Sequence, residues 1–237
     1  MKNLLLISNS TNPGEPYLGW PRETIKEFLD SHNVKNVLFI PFAGVTISWD
    51  DYETRVANVF KELGFNLKSV HHEKNPIKAV IEAEAIAVGG GNTFCLVNEL
   101  QKQGLMQAIR EKALAGTPYM GWSAGSNVAC PTLKTTNDMP ITEPVSFNCM
   151  NLIPFQINPH YLDAHPEGHG GETREERILE FLAANQQVVV AGLREASYLL
   201  VKGDKMILKG RKSLRLFKYN QESVEYAPET DLSFLLS

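Results

Sequence analysis

Apolar positions in this chain fall into short continuous runs closed by turn residues. Leu4 to Ile7 is followed by the polar run Ser8-Asn9-Ser10 and a turn-rich stretch to Pro16. Val37 to Ile40 is closed by Pro41, and Ala85 to Val88 by Gly89-Gly90-Gly91. Tyr119 to Trp122 is opened by Pro118 and closed by Ser123-Ala124-Gly125, and Val188 to Ala191 is closed by Gly192. Apolar runs of about 4–8 residues bounded by turn signals suit strands buried on both faces.

Helical patterns lie between these runs. Thr24 to Leu29 follows Pro21, a helix-start signal. Tyr52, Val56, Val59, Phe60 and Leu63 recur at helical spacing and are stopped by Gly64. Thr93 to Leu100 follows the third run. Thr173-Arg174-Glu175-Glu176 has the form of a capping box, with Ile178, Leu179 and Leu182 behind it. Strand–helix alternation predicts an α/β fold with a mostly parallel sheet between helical layers. Right-handed crossovers then put the C-terminal ends of the strands on one edge. The tail differs. Tyr198 to Val201, Lys205 to Leu208 and Leu214 to Lys218, joined by Gly203-Asp204 and Gly210-Arg211, predict a C-terminal antiparallel β extension. With no linker, repeat or low-complexity tract, residues 1–237 are expected to form a single domain.

Composition narrows the function classes. The 237 residues are 43% hydrophobic and 21% charged, which excludes disorder as the main state. Lys and Arg total 23 against 27 Asp and Glu, a net charge of −4. This balance argues against nucleic acid or an anionic membrane as partner. Cys95, Cys130 and Cys149 are sparse and irregularly spaced, as expected for reduced core cysteines. No stretch approaches the roughly 18 apolar residues of a membrane span, and Leu4 to Ile7 is too short for a signal sequence. A cytoplasmic location follows as an expectation.

Candidate chemistry concentrates after the strands. Gly121-Trp122-Ser123-Ala124-Gly125 fits G-x-S-x-G between a predicted strand and a predicted helix at Ser126 to Ala129, the setting of a nucleophile elbow. A serine nucleophile needs a base and a group that orients it. Of the histidines, His71 and His72 sit in a charged stretch and His32 at a helix end. His160, in Asn158-Pro159-His160, follows the strand-like Phe155-Gln156-Ile157 and falls on the edge that carries Ser123; His165 and His169 read as solvated or core-satisfied side chains. Glu195, just past the fifth run, is the candidate acid, against the alternative of a surface ion pair. The order Ser123, His160, Glu195 differs from the serine–acid–histidine order of α/β-hydrolases and argues against that fold. Gly89-Gly90-Gly91-Asn92-Thr93 lacks the lysine and spacing of a nucleotide loop. Its better use is to supply the N–H of Gly91 as an oxyanion donor beside that of Ala124. His160, His165, His169 and Asp163 match no metal-ligand spacing, so neither metal nor cofactor is expected.

The strings GWSAGSNVACP, TTNDMP, QINPHY, GHGGETREER and GGGNTF, with LLLISNST and IPFAGVT near the start, resemble the peptidase E family of bacterial aspartyl dipeptidases over nearly the whole chain. The resemblance implies a three-layer, flavodoxin-like sandwich similar to the class I glutamine amidotransferases. It implies Ser123 as nucleophile, His160 as base, Glu195 as orienting acid, and Gly91 and Ala124 as oxyanion donors. Around the acid the family pattern is of a Pro–Glu–Gly type, where this chain has Arg194-Glu195-Ala196. The implied substrates are dipeptides with N-terminal aspartate, and their charges ask for a cation and an anion. Arg174 is the candidate cation, with Arg194 as the other choice. Asp138 or Glu172 is the candidate for the amine, Asp138 also being able to support the site or simply form a turn. Related serine hydrolysis of isoaspartyl or aspartyl-polymer substrates, and a catalytically silent binding module, are the competing readings. The expected partner is a small peptide, and the expected state a monomer or homodimer.

Overall fold

The architecture comes from a computed structural model, which describes residues 1–163, 168 and 170–237. His165 and His169 lie outside the described residues. A seven-stranded sheet has the order β3 (Asn66–Ser69), β2 (Asn36–Ile40), β4 (Ala85–Val88), β5 (Tyr119–Trp122), β1 (Asn3–Ile7), β8 (Ser197–Lys202), β9 (Lys205–Gly210). Its first five strands are parallel, and β8 and β9 are antiparallel. Successive side chains on a strand point to opposite faces, and each strand here feeds two cores. Leu4, Leu6, Leu38, Ile40, Ile86, Val88 and Tyr119 join one apolar cluster; Leu5, Ile7, Val37, Phe39, Ala85, Ala87, Met120 and Trp122 join the other. This is why the strands read as unbroken apolar runs.

Helices α1 (Arg22–Asp30) and α2 (Trp49–Glu62) cover one face with Ile25, Phe28, Leu29, Tyr52, Val56, Val59 and Phe60. The other face carries α3 (Pro76–Glu82), α4 (Thr93–Lys102), α5 (Leu105–Ala115) and the single turn α6 (Ala124–Asn127). The sequence pattern left out β3, α3, α5 and the short strand Val224–Tyr226. β3 is a short edge strand with one buried residue, so it lacks an apolar run.

A second sheet has the order β11 (Val224–Tyr226), β10 (Leu214–Lys218), β7 (Val189–Arg194), β6 (Gln156–Tyr161). The fifth apolar run is therefore β7 of this smaller sheet and not a member of the main one. The C-terminal antiparallel extension is also divided: β8 and β9 extend the main sheet, whereas β10 pairs with β7. β6 and β7 are parallel, so their C-terminal ends share an edge. Helix α7 (Arg174–Ala184) packs Ile178 and Leu182 against Tyr161, Val190 and Phe217, and its Thr173–Glu176 capping box is formed.

Candidate active site

β5 ends at Trp122, and the chain reverses at Ser123 with φ 55° and ψ −112° before α6 begins at Ala124. A non-glycine residue in that region is strained and must be held by its surroundings. Backbone approaches on both sides supply the hold. A Cβ on Gly121 would lie 2.3 Å from the carbonyl carbon of Gly125, and a Cβ on Gly125 would lie 2.1 Å from the carbonyl oxygen of Val88. Both glycines of G-x-S-x-G are thus required by close packing of backbone on backbone. The Ser123 N–H donates to the Ile7 carbonyl at 3.0 Å, and the Ser126 hydroxyl bridges the Ile7 and Gly121 carbonyls at 2.7 and 2.8 Å.

His160 and Glu195 reach this serine from the second sheet. The β6–β7 register shifts between Pro159 and Tyr161, and His160 sits in the shift with φ 53°. Its Nε2 lies 2.8 Å from Ser123 Oγ, and its Nδ1 lies 2.7 Å from Glu195 Oε1. A carboxylate only accepts, so Nδ1 carries the proton and Nε2 accepts from the serine hydroxyl. The side chains of His160 and Glu195 are 36% and 34% exposed, which leaves them open to a ligand. The three sequence-predicted residues are therefore brought into one hydrogen-bonded line.

Two residues at the end of β1 hold this line and were read from sequence only as a turn. Ser8 Oγ accepts the His160 N–H at 3.0 Å and donates to the Leu193 carbonyl at 2.8 Å. Asn9 Oδ1 accepts the N–H of Ala196 at 2.8 Å. Ala196 has φ 62°, a left-handed conformation that glycine adopts without strain. Ser8 and Asn9 are fully buried polar residues, and their pairing was the signal that composition could not supply.

The Gly89–Gly91 loop runs against the elbow. Gly91 has φ 135°, and a Cβ there would lie 2.1 Å from the Ala43 carbonyl oxygen. The N–H groups of Gly91 and Ala124 have no acceptor among the described residues, leaving both available to an oxyanion. Asp138 fastens this loop. Its Oδ2 accepts from Thr93 N at 2.7 Å, Thr93 Oγ1 at 2.6 Å and Thr136 Oγ1 at 2.8 Å.

Two cavities flank the site. The first, about 510 Å³, is lined by Ser123, His160, Gly90, Gly91, Tyr17, Tyr52 and Arg55 among others. The second, about 230 Å³, holds Arg174, Asp138, Asn137 and Asn158. Ile141 lines the first and Met139 the second, and Asn92 Nδ2 donates to the Met139 carbonyl at 2.8 Å. Arg174 donates to Asn137 Oδ1, and Asn137 Nδ2 donates to the Pro159 carbonyl at 2.6 Å, next to His160. Burial, and then the neighbouring Arg177, pull the Arg174 pKa down. No carboxylate pairs with Arg174 among the described residues. Arg194 is committed elsewhere: Asp163 grips it at 2.6 and 2.7 Å and Glu225 at 2.7 and 2.8 Å. Those two carboxylates raise the Arg194 pKa further. Glu172 is exposed and faces Arg177 at 3.7 Å.

Outside these cavities, Asp50, Glu53, His71 and His72 place four ligand atoms within 4.8 Å of one another. Their contacts are those of an ion-pair network, with His71 Nε2 2.8 Å from Asp50 and His72 Nε2 2.9 Å from Glu53. All three cysteines are free, and burial pushes the Cys130 thiol up to about 12. Among the described residues no helix is long and apolar enough to cross a membrane.

The profile of Peptidase family S51 matches residues 4–209. The chain is 50% identical over 235 residues to Peptidase E of Nostoc sp. (strain PCC 7120 / SAG 25.82 / UTEX 2576), covering 99% of this chain and 97% of that protein. It is 44% identical over 221 residues to Peptidase E of Salmonella typhimurium, covering 93% and 96%. Among solved structures, a peptidase from an acI-B1 Actinobacterium superposes with TM-score 0.70 at 18% identity, covering 99% of this chain and 97% of that one. A Peptidase E protein from Listeria monocytogenes EGD-e superposes with TM-score 0.64 at 23% identity, covering 90% and 100%. These two show the fold, and the sequence matches show the family: the chain belongs to peptidase family S51 and is a peptidase.

Proposed function

We propose that the protein is a serine dipeptidase acting on Asp-Xaa dipeptides. The observation that carries the serine mechanism is the line Glu195–His160–Ser123, at 2.7 and 2.8 Å, on a strained elbow. His160 Nε2 takes the Ser123 proton as Oγ attacks the scissile carbonyl. Glu195 stabilises the imidazolium through Nδ1–H. The Gly91 and Ala124 N–H groups hold the oxyanion, and His160 then protonates the leaving amine. Water, activated by the same imidazole, releases the aspartyl group from Ser123. No step calls for a cofactor.

Aspartyl selectivity rests on the second cavity. Arg174, which has no carboxylate partner among the described residues, offers its guanidinium to the side-chain carboxylate. For the substrate amine, Asp138 has Oδ1 left over after Oδ2 is engaged three times, and Asn158 Oδ1 is buried without a partner among the described residues. A buried unpaired acceptor calls for an explanation, and a substrate ammonium supplies one. A cytoplasmic location belongs to the same proposal, as the place where short peptides accumulate as breakdown products.

The test is kcat/KM on Asp-Leu, Asn-Leu, Glu-Leu and an isoaspartyl peptide for wild type, Arg174→Ala and Arg174→Lys. Wild type is expected to prefer Asp over Asn by roughly a hundredfold or more, because Asn leaves a charge unpaired. Arg174→Ala collapses that ratio, and lysine restores part of it. Activity confined to the isoaspartyl peptide would replace the Asp-Xaa reading, and an unchanged ratio in Arg174→Ala would remove Arg174 from it.

A further inference from the structure

Among the described residues, Arg55 is the charged side chain lining the Ser123 cavity, which it shares with the His160 imidazole, and no carboxylate lines it. Arg55 and Tyr52 lie three residues apart on α2, so both face the same way. The guanidinium carbon of Arg55 sits 5.4 Å from the centre of the Tyr17 ring. That ring belongs to a fixed platform. The Tyr17 hydroxyl meets that of Tyr52 at 3.3 Å, Tyr52 donates to the Gly90 carbonyl at 3.0 Å, and Trp122 Nε1 donates to Tyr52 at 3.2 Å. The platform thereby connects Arg55 to the elbow strand and to the loop that carries Gly91. Arg22, Arg177, Arg194, Arg211 and Arg215 each have a carboxylate partner; Arg55 has none among the described residues. A cation stacked on a tyrosine and facing an otherwise uncharged cavity is suited to an anionic ligand.

We propose that Arg55 binds the C-terminal carboxylate of the substrate, making the Ser123 cavity the seat of the leaving residue. The inference rests on the Asp-Xaa reading above. An Asp-Xaa dipeptide carries one carboxylate on each side of the scissile bond, and the two cavities each offer an arginine with no carboxylate partner among the described residues, Arg174 and Arg55. In a dipeptide the terminal carboxylate stands three bonds from the scissile carbon. One more residue moves it away by about 3.3–3.6 Å, out of reach of a guanidinium held on a ring. Arg55 would thus restrict the enzyme to dipeptides by charge as well as by space.

The experiment compares Asp-Leu with Asp-Leu amide in wild type, Arg55→Ala, Arg55→Lys and Arg110→Ala, with fluorophosphonate labelling of Ser123 as the check on folding. Wild type is expected to favour the free acid at least tenfold in kcat/KM, mainly through KM, as a charge-assisted contact would give. Arg55→Ala brings the acid-to-amide ratio towards one, Arg55→Lys restores part of it, and Arg110→Ala, which removes a charge from α5, keeps it. A ratio unchanged in Arg55→Ala, or lost equally in Arg110→Ala, overturns the assignment of Arg55 alone. If wild type cleaves no Asp-Xaa peptide, the reading beneath it falls and the inference with it.

Discussion

Ser8 Oγ accepts the backbone N–H of His160 at 3.0 Å and so ties the end of β1 in the main sheet to the residue that faces Ser123 from the second sheet. The same hydroxyl donates to Leu193 in β7, two residues before Glu195. One buried side chain therefore sets the distance between elbow, base and acid. In Ser8→Ala a part-buried N–H and a buried C=O lose their partner, which costs about 1–3 kcal/mol. Thermal unfolding should show the loss, and kcat should fall more than KM rises, because the misplaced group acts in the transition state.

Ser123→Ala should keep the fold and abolish turnover, and His160→Ala should do nearly the same. Removing both should cost little more than removing either, since triad members act as a unit. Residual activity above about one percent in Ser123→Ala, measured with the mutant freshly purified from a host lacking the enzyme, would sink the nucleophile assignment.

Gly125→Ala tests the elbow through its packing. The new methyl would sit 2.1 Å from the Val88 carbonyl oxygen and 2.9 Å from its carbonyl carbon, backbone atoms of a buried strand that cannot yield as a flexible side chain would. A destabilisation of about 3 kcal/mol or more is expected, at the upper end for overpacking. Gly170→Ala, where a methyl meets none of the described residues within 4 Å, should change denaturant unfolding by less than about 0.5 kcal/mol.

Arg194 predicts an acid dependence of stability. It holds Asp163 and Glu225 below their ordinary pKa values of 3.8 and 4.5, by hydrogen bonding first. Carboxyls depressed in the folded state stabilise it above the unfolded pKa, and that stability is lost as pH falls through the folded values. The wild type should therefore lose stability as pH drops below about 4. Arg194→Ala should be less stable at neutral pH and show a shallower loss over that range. Both carboxylates are about half exposed, so high salt should shrink the difference.

Chelators should leave activity unchanged. The Asp50, Glu53, His71 and His72 group lines neither cavity. Inactivation by EDTA that zinc or manganese reverses would overturn the cofactor-free mechanism.

The elements that could be read from sequence were those whose signal is local. Each buried strand of the main sheet stands as an apolar run because both its faces are covered, and the Thr173–Glu176 box names its own helix start. The elbow was legible because two glycines flank a serine at a strand end, and the strain at Ser123 gives that spacing its physical reason. His160 and Glu195 were legible by position alone, as polar residues after apolar strands. What no local pattern carried was partnership. The run 188–191 looks like any strand of the main sheet, yet β7 pairs with β6 and β10, because strand pairing depends on residues distant in sequence. Ser8 and Asn9 look like turn residues until β6 and β7 arrive beside them. Arg55 looks like the polar face of α2, and only the fold sets it over Tyr17 in the lining of the Ser123 cavity. Arg194 stands next to the acid in sequence and is spent on Asp163 and Glu225, 31 residues away on either side. Residue type determined what chemistry was present; long-range pairing decided which of those groups meet.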